Sequence, residues 1–115
     1  MQRLKGKKQI EQLFVEGRSI GAFPLRLVYL ESALTNKVGV SVSKKHFKNA
    51  VHRNKIKRLL RVATENHLQT HLVPLKSKYC MMVLYVGKEI PKSKELDAQF
   101  TSLIERFNKK VLNEA

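Results

Sequence analysis

Apolar residues recur along this chain in two periods, one suited to helices and one to strands. Ile10, Leu13 and Phe14 are spaced i, i+3, i+4, which predicts a short helix over Lys7 to Glu16 with Gly17 as its C′ residue. Arg18 to Gly21 reads as a turn. From Ala22 to Glu31 the period becomes two: Phe23, Leu25, Leu27 and Tyr29 share one face, and Pro24, Arg26, Val28 and Leu30 share the other. Pro24 has no N–H, so this strand starts late or leaves that position unpaired. After a loop at Ser32 to Asn36, Lys37 to Ser43 alternates again and predicts a hairpin partner. Val38, Val40 and Val42 face one side, with Gly39, Ser41 and Ser43 on the other. The small residues leave room close to the sheet, either for a packed helix or for a nucleic-acid strand.

Asn49 is a plausible N-cap for a long helix running to His71. Leu72 to Ser77, with Pro74, is a connection. Tyr79 to Val86 is apolar at both odd and even positions, the mark of a strand covered on two sides. Gly87 to Ser93 is a loop. Leu96, Phe100, Leu103, Ile104, Phe107 and Val111 then recur at helical spacing within Lys94 to Leu112. The order α-β-β-α-β-α predicts an α+β sandwich, a small sheet with helices packed on it, mixed if the third strand lies parallel to a neighbour. With 115 residues, the chain reads as one domain over 1–115.

Charge changes this picture most in the long helix. Ala50 to Arg61 reads AVHRNKIKRLLR, with five Lys/Arg and no acid. At about 100° per residue, Arg53, Lys57, Arg61, Asn54 and Arg58 fall within one arc of roughly 140°. Leu59, Ala63, Ile56 and Leu60 occupy an arc of about 100° on the other side, with His52 inside it. Most basic helix faces are simply solvated. Here no interleaved Glu offers i,i+4 pairs, so the cations repel each other and call for an external anion. A repeating anion means a phosphodiester backbone. Lys44 and Lys45 lie just before the helix, where backbone donors also bind phosphate. The whole chain carries a net charge of +14, and residues 1–61 hold 15 Lys/Arg against 3 acids, so the first half builds the partner surface.

Catalytic chemistry is hard to find in the residues. His67 and His71 are four apart, a metal-ligand spacing, but without a following Glu or a third ligand they read as surface or capping residues. His46 and His52 flank the basic stretch with no pattern that makes them an acid–base pair. The acids are scattered, with no D-x-D cluster for metal ions and no Gly-rich phosphate loop. Cys80, the single cysteine, sits in an apolar run and reads as core. No signal-peptide pattern and no span of 18 apolar residues is present, so a cytoplasmic protein with no membrane partner is expected. The residues leave open a structural RNA-binding protein and a DNA-binding regulator. DNA is the weaker of these, because strands flank the basic helix on both sides in sequence.

Arg53-Asn54-x-x-Lys57-Arg58-x-x-Arg61, preceded by Ser43-Lys44-Lys45 and Ala50-Val51, resembles the "RNR" signature of bacterial ribonuclease P proteins. One departure is His46-Phe47-Lys48-Asn49 where many members have a Gly. The resemblance implies a fold like the second domain of a small-subunit ribosomal protein, with a left-handed βαβ crossover. It implies a protein subunit that does not itself cut, with no catalytic residues and no metal site of its own. The catalytic ribonuclease P RNA, with its Mg²⁺, would remove the 5′ leader of precursor tRNA. Lys44, Lys45, Arg53, Asn54, Lys57, Arg58 and Arg61 would contact RNA. Ile10 and Phe14 match two positions that line a cleft for the leader in that family, although Ile10 departs from the usual aromatic. From residue type alone both read as core as readily as stacking surface. Arg26 and Val28 are weaker cleft candidates, and Arg26 could equally be a snorkelling surface residue.

Overall fold

The computed structural model of the protein describes residues 2–4, 6–32, 36–72 and 78–114. The elements in chain order are β1 (Gln2–Arg3), α1 (Lys7–Glu16), β2 (Arg18–Ala22), β3 (Leu25–Ser32), β4 (Lys37–Val42), α2 (Ala50–Leu72), β5 (Lys78–Tyr85) and α3 (Ser93–Glu114). They form a mixed sheet in the order β1-β4-β5-β3-β2. β4 and β5 are parallel neighbours joined through α2, while β3 pairs antiparallel with both β5 and β2. The alternation of β3, β4 and β5 is used as the sequence suggests. Leu25, Leu27, Tyr29, Val42, Tyr79, Met81, Val83 and Tyr85 face the main core under α2 and α3. Val28 and Met82 face α1 with Leu4 and Leu13. β5 is apolar throughout because it lies mid-sheet and both of its faces are covered.

Two expectations are corrected at the edges. Arg18–Ala22 is a strand, not a turn, and the strand expected from Ala22 begins only at Leu25. The bend falls at Phe23-Pro24, joined by a cis peptide bond, and the missing N–H of Pro24 therefore lies outside the ladder. Arg18–Ala22 is polar enough to resemble a turn because it is an edge strand with little to bury. Two outer carbonyls of that edge are covered by α3: Arg106 donates to the Gly21 oxygen, and Lys110 Nζ lies 3.3 Å from the Ser19 oxygen. β1 is also additional, two residues paired parallel with Lys37 and Val38. It is too short to show a period.

Gly17 ends α1 by proximity, not by left-handed backbone, since its φ is −74°. Its N–H bonds the Leu13 carbonyl, and a Cβ there would stand 2.2 Å from that same oxygen and 2.9 Å from the Tyr29 oxygen. The connection expected over Leu72 to Ser77 falls largely outside the described residues, as does most of the loop over Ser32 to Asn36. Asn36 itself is seen holding β5 in place, its Oδ1 accepting from the Tyr79 N–H at 2.9 Å.

Candidate nucleic-acid interface

α2 starts where the sequence places it. Asn49 Oδ1 accepts from the Val51 N–H at 2.8 Å, satisfying one of the free donors of the first turn. Ile56 and Leu60 are fully buried and Ala63 nearly so, and they fix the helix against the sheet and α3. His52 departs from expectation: it is exposed, not part of the buried stripe. Burial begins only at Ile56, and contact with α3 is made further along, where His67 stacks on Phe100 at 6.0 Å and its Nε2 lies 3.0 Å from Asp97 Oδ1. That pairing gives His67 an interhelical role in place of a metal-ligand one. The side chain of His71 lies outside the described residues.

On the far side of α2, Asn54, Arg58 and Arg61 are exposed, and Arg53 and Lys57 are half-buried along one flank. Among the described residues no carboxylate lies within ion-pair distance of Arg53, Lys57, Arg58 or Arg61. The positive field of this face is therefore not neutralised from within the chain. The five positions are not equivalent, however. Arg53 Nη1 donates to the carbonyls of Phe47 at 2.7 Å and Lys48 at 2.8 Å. This clamps the segment that leads into the helix.

The same segment explains the His46-Phe47-Lys48-Asn49 departure. Phe47 is only 6% exposed and packs beside Tyr85, ring centroids 6.1 Å apart. It anchors the segment in the core while Lys44, Lys45, His46 and Lys48 stay exposed. Ser43 Oγ accepts from the Lys45 N–H at 3.2 Å, and the Phe47 N–H donates to the Ser43 carbonyl at 3.2 Å, closing a turn that presents the two lysines. Near this anchor Tyr85 donates to the Glu89 carbonyl at 2.6 Å. Its phenol is pushed above its ordinary range by burial first and then by the charges of Glu89 and Glu95.

The residues expected to line a leader cleft fall into different environments. Phe14 is 48% exposed, Ile10 is half-buried against Leu13, and Arg26 is exposed with Nη2 3.2 Å from Ser19 Oγ. Val28 is buried beneath α1 and belongs to the interior, a correction to its candidacy as an open cleft residue. The α1 side of the sheet opens one row further on, where Arg26, Leu84 and Ser41 stand side by side in register. Leu84 and Ser41 are half-buried and were not singled out from sequence. Only strand register brings them beside Arg26, and no single-strand period reveals register. Among the described residues no three of His, Cys, Asp and Glu converge as a metal site would need, so the donor set does not fit a protein-held ion.

Comparison with known proteins adds to this geometry. The family model for ribonuclease P matches residues 1–108. The chain is 34% identical over 97 residues to a ribonuclease P protein component of Porphyromonas gingivalis, covering 78% of this chain and 71% of that protein. It is 46% identical over 66 residues to one from Coprothermobacter proteolyticus, covering 56% of this chain and 54% of that protein. Its fold is like that of the Staphylococcus aureus RNase P protein, with a TM-score of 0.76, 21% identity, and coverage of 91% and 94% of the two chains. The Thermotoga maritima RNase P protein superposes with a TM-score of 0.75 at 19% identity, covering 92% of this chain and 97% of that one.

Proposed function

The chain belongs to the ribonuclease P protein family, the protein subunits of a ribonucleoprotein endoribonuclease, and from that premise we propose how this chain serves the reaction. It binds the catalytic RNA along Arg53, Asn54, Lys57, Arg58 and Arg61, with Lys44 and Lys45 continuing the contact. Phe14, the edge of Ile10 and the Arg26 row hold the single-stranded 5′ leader of precursor tRNA. The observation that carries this reading is a stripe of cations on α2 with no carboxylate partner among the described residues.

The chain acts by lowering repulsion. Crowded phosphates of the RNA and of its substrate approach one another more easily once lysines and arginines replace condensed counterions. Mg²⁺ supplies the hydrolytic chemistry on the RNA, and its apparent affinity there rises without a protein ligand. Within the leader site, an exposed aromatic ring offers a face on which any base can stack, so contact there is tolerant of sequence. Such a complex works in the cytoplasm, and no described helix is long and apolar enough to cross a membrane. The test is reconstitution: a bacterial ribonuclease P RNA at limiting Mg²⁺ should regain leader removal from precursor tRNA when this chain is added. Failure to stimulate would leave only an RNA-scaffolding role.

A further inference from the structure

A cavity of 340 Å³ opens at the sheet edge beyond the short β1–β4 pairing, between α1 and α2. It lies at the low end of the roughly 300–1,000 Å³ range of small-ligand pockets, room for one mononucleotide. Its lining joins three kinds of group. Ile10 and Met82 supply an apolar wall, Arg3 and Arg61 supply positive charge, and Thr64 and Glu65 supply hydrogen-bonding groups. Arg61 also belongs to the cationic stripe of α2, so the cavity is continuous with that surface. Arg3 and Glu65 are exposed at its mouth.

Thr64 makes this cavity more than a gap between helices. It is 3% exposed, and its Oγ1 has no hydrogen-bond partner among the described residues. A buried hydroxyl without a partner is a standing cost that an isosteric Val would remove. Gly39 keeps the floor open: a Cβ there would stand 3.0 Å from Met82 Cε.

We propose that this cavity is a nucleotide pocket selective for guanine. The apolar wall takes the face of the base, and Arg3 and Arg61 take its phosphate. The Glu65 carboxylate takes the two adjacent N–H donors that only guanine presents on its Watson–Crick edge. Thr64 then gains the partner it lacks. Adenine presents an acceptor at that position and meets the carboxylate unfavourably. The nucleotide can be free or one residue of an RNA strand.

The inference takes its ligand class from the RNA-binding reading but is tested without the catalytic RNA. Methyl-labelled protein is titrated with guanosine, adenosine, cytidine and uridine 5′-monophosphates at low salt, and the Met82 and Ile10 methyl signals are followed. Guanosine monophosphate should shift them saturably and bind at least about fivefold tighter than adenosine monophosphate. Glu65→Gln should erase that preference, because an amide suits adenine. Thr64→Val should weaken guanosine monophosphate about tenfold while leaving the melting temperature unchanged or higher. A lower melting temperature for Thr64→Val would mean the hydroxyl is bonded within the chain, and would overturn the proposal. So would equal binding of all four nucleotides, or shifts confined to the outer face of α2. A guanine-centred trinucleotide that binds tighter than the mononucleotide identifies an RNA strand as the source, and equal binding identifies a free nucleotide. Failure of this titration beside successful reconstitution removes the pocket and leaves the proposed function standing. The converse result separates the two in the other direction.

Discussion

Replacing Arg53 and Arg58 one at a time by Ala should separate two roles that the sequence merges. Both belong to one cationic stripe, but Arg53 donates to the Phe47 and Lys48 carbonyls while Arg58 is exposed with no ion-pair partner among the described residues. Removing Arg53 breaks two charge-assisted hydrogen bonds and frees the segment anchored by Phe47. Bonds of this kind contribute about 1.5–3 kcal/mol each when desolvated, and half-burial reduces them, so the total is about 2 kcal/mol. At about 4 °C per kcal/mol for a domain of this size, Arg53→Ala should melt about 8 °C lower. Arg58→Ala should change stability by no more than about 0.5 kcal/mol. Its effect belongs in RNA binding, where one lost phosphate contact lowers the log–log salt slope by about 0.7–0.9. Between 50 and 200 mM salt, the variant should therefore lose about threefold less affinity than the parent. Thermal denaturation and filter binding to a ribonuclease P RNA across salt concentrations provide the two readouts. An Arg53→Ala protein melting with the parent would refute the clamp. An unchanged slope for Arg58→Ala would place that side chain in solvent in the complex.

Phe14→Ala should leave the melting temperature nearly unmoved, since the ring is 48% exposed, yet weaken binding of leader-bearing precursor tRNA by about 1–3 kcal/mol relative to mature tRNA. Equal weakening for both RNAs would remove Phe14 from the leader site. Gly17→Ala should destabilise by about 1–3 kcal/mol in denaturant titration, because its Cβ would overlap the Leu13 and Tyr29 carbonyls. A neutral result would mean α1 can retreat at no cost. Tyr85 has a phenol raised by burial, so its contribution is complete below the unfolded value of about 10 and is lost as pH rises through the higher folded value. The parent should accordingly lose more stability between pH 9 and 11 than Tyr85→Phe, and equal losses would show a solvent-like phenol.

Elements with a strong period were legible in the sequence. The stripe Ile56, Leu60, Ala63 placed α2, and double-sided apolarity placed β5 between neighbours. What escaped was set by partners distant in sequence. Arg18–Ala22 carries no apolar alternation because its outer edge is finished by Arg106 and Lys110, about ninety positions away. His52 falls in the buried arc of a helical wheel, but a wheel does not say where along the axis the covering layer begins. Val28 alternates correctly with Arg26, and only the position of Leu13 decides that one is interior and the other open. The cation stripe itself needed no tertiary information, because charge of one sign without interleaved acid is a property of the helix alone.

The dimensions of that stripe carry a consequence for what it binds. Arg53 to Arg61 spans eight residues, about 12 Å along the axis. An arc of roughly 140° on a helix about 10–12 Å across measures about 13 Å around its surface. The cationic patch is therefore as wide as it is long, too broad for a single row of phosphates. Its best partner presents two backbone segments side by side, and there mutual phosphate repulsion is greatest and counter-charge most effective. A folded RNA offers such a place and an unstructured oligonucleotide does not. The salt slope for the folded RNA should thus correspond to at least four phosphate contacts. An unstructured RNA of equal length should give about half as many, at about 0.7 per contact. Identical slopes for the two RNAs would mean that only one edge of the patch is used, and the argument from its width would fail.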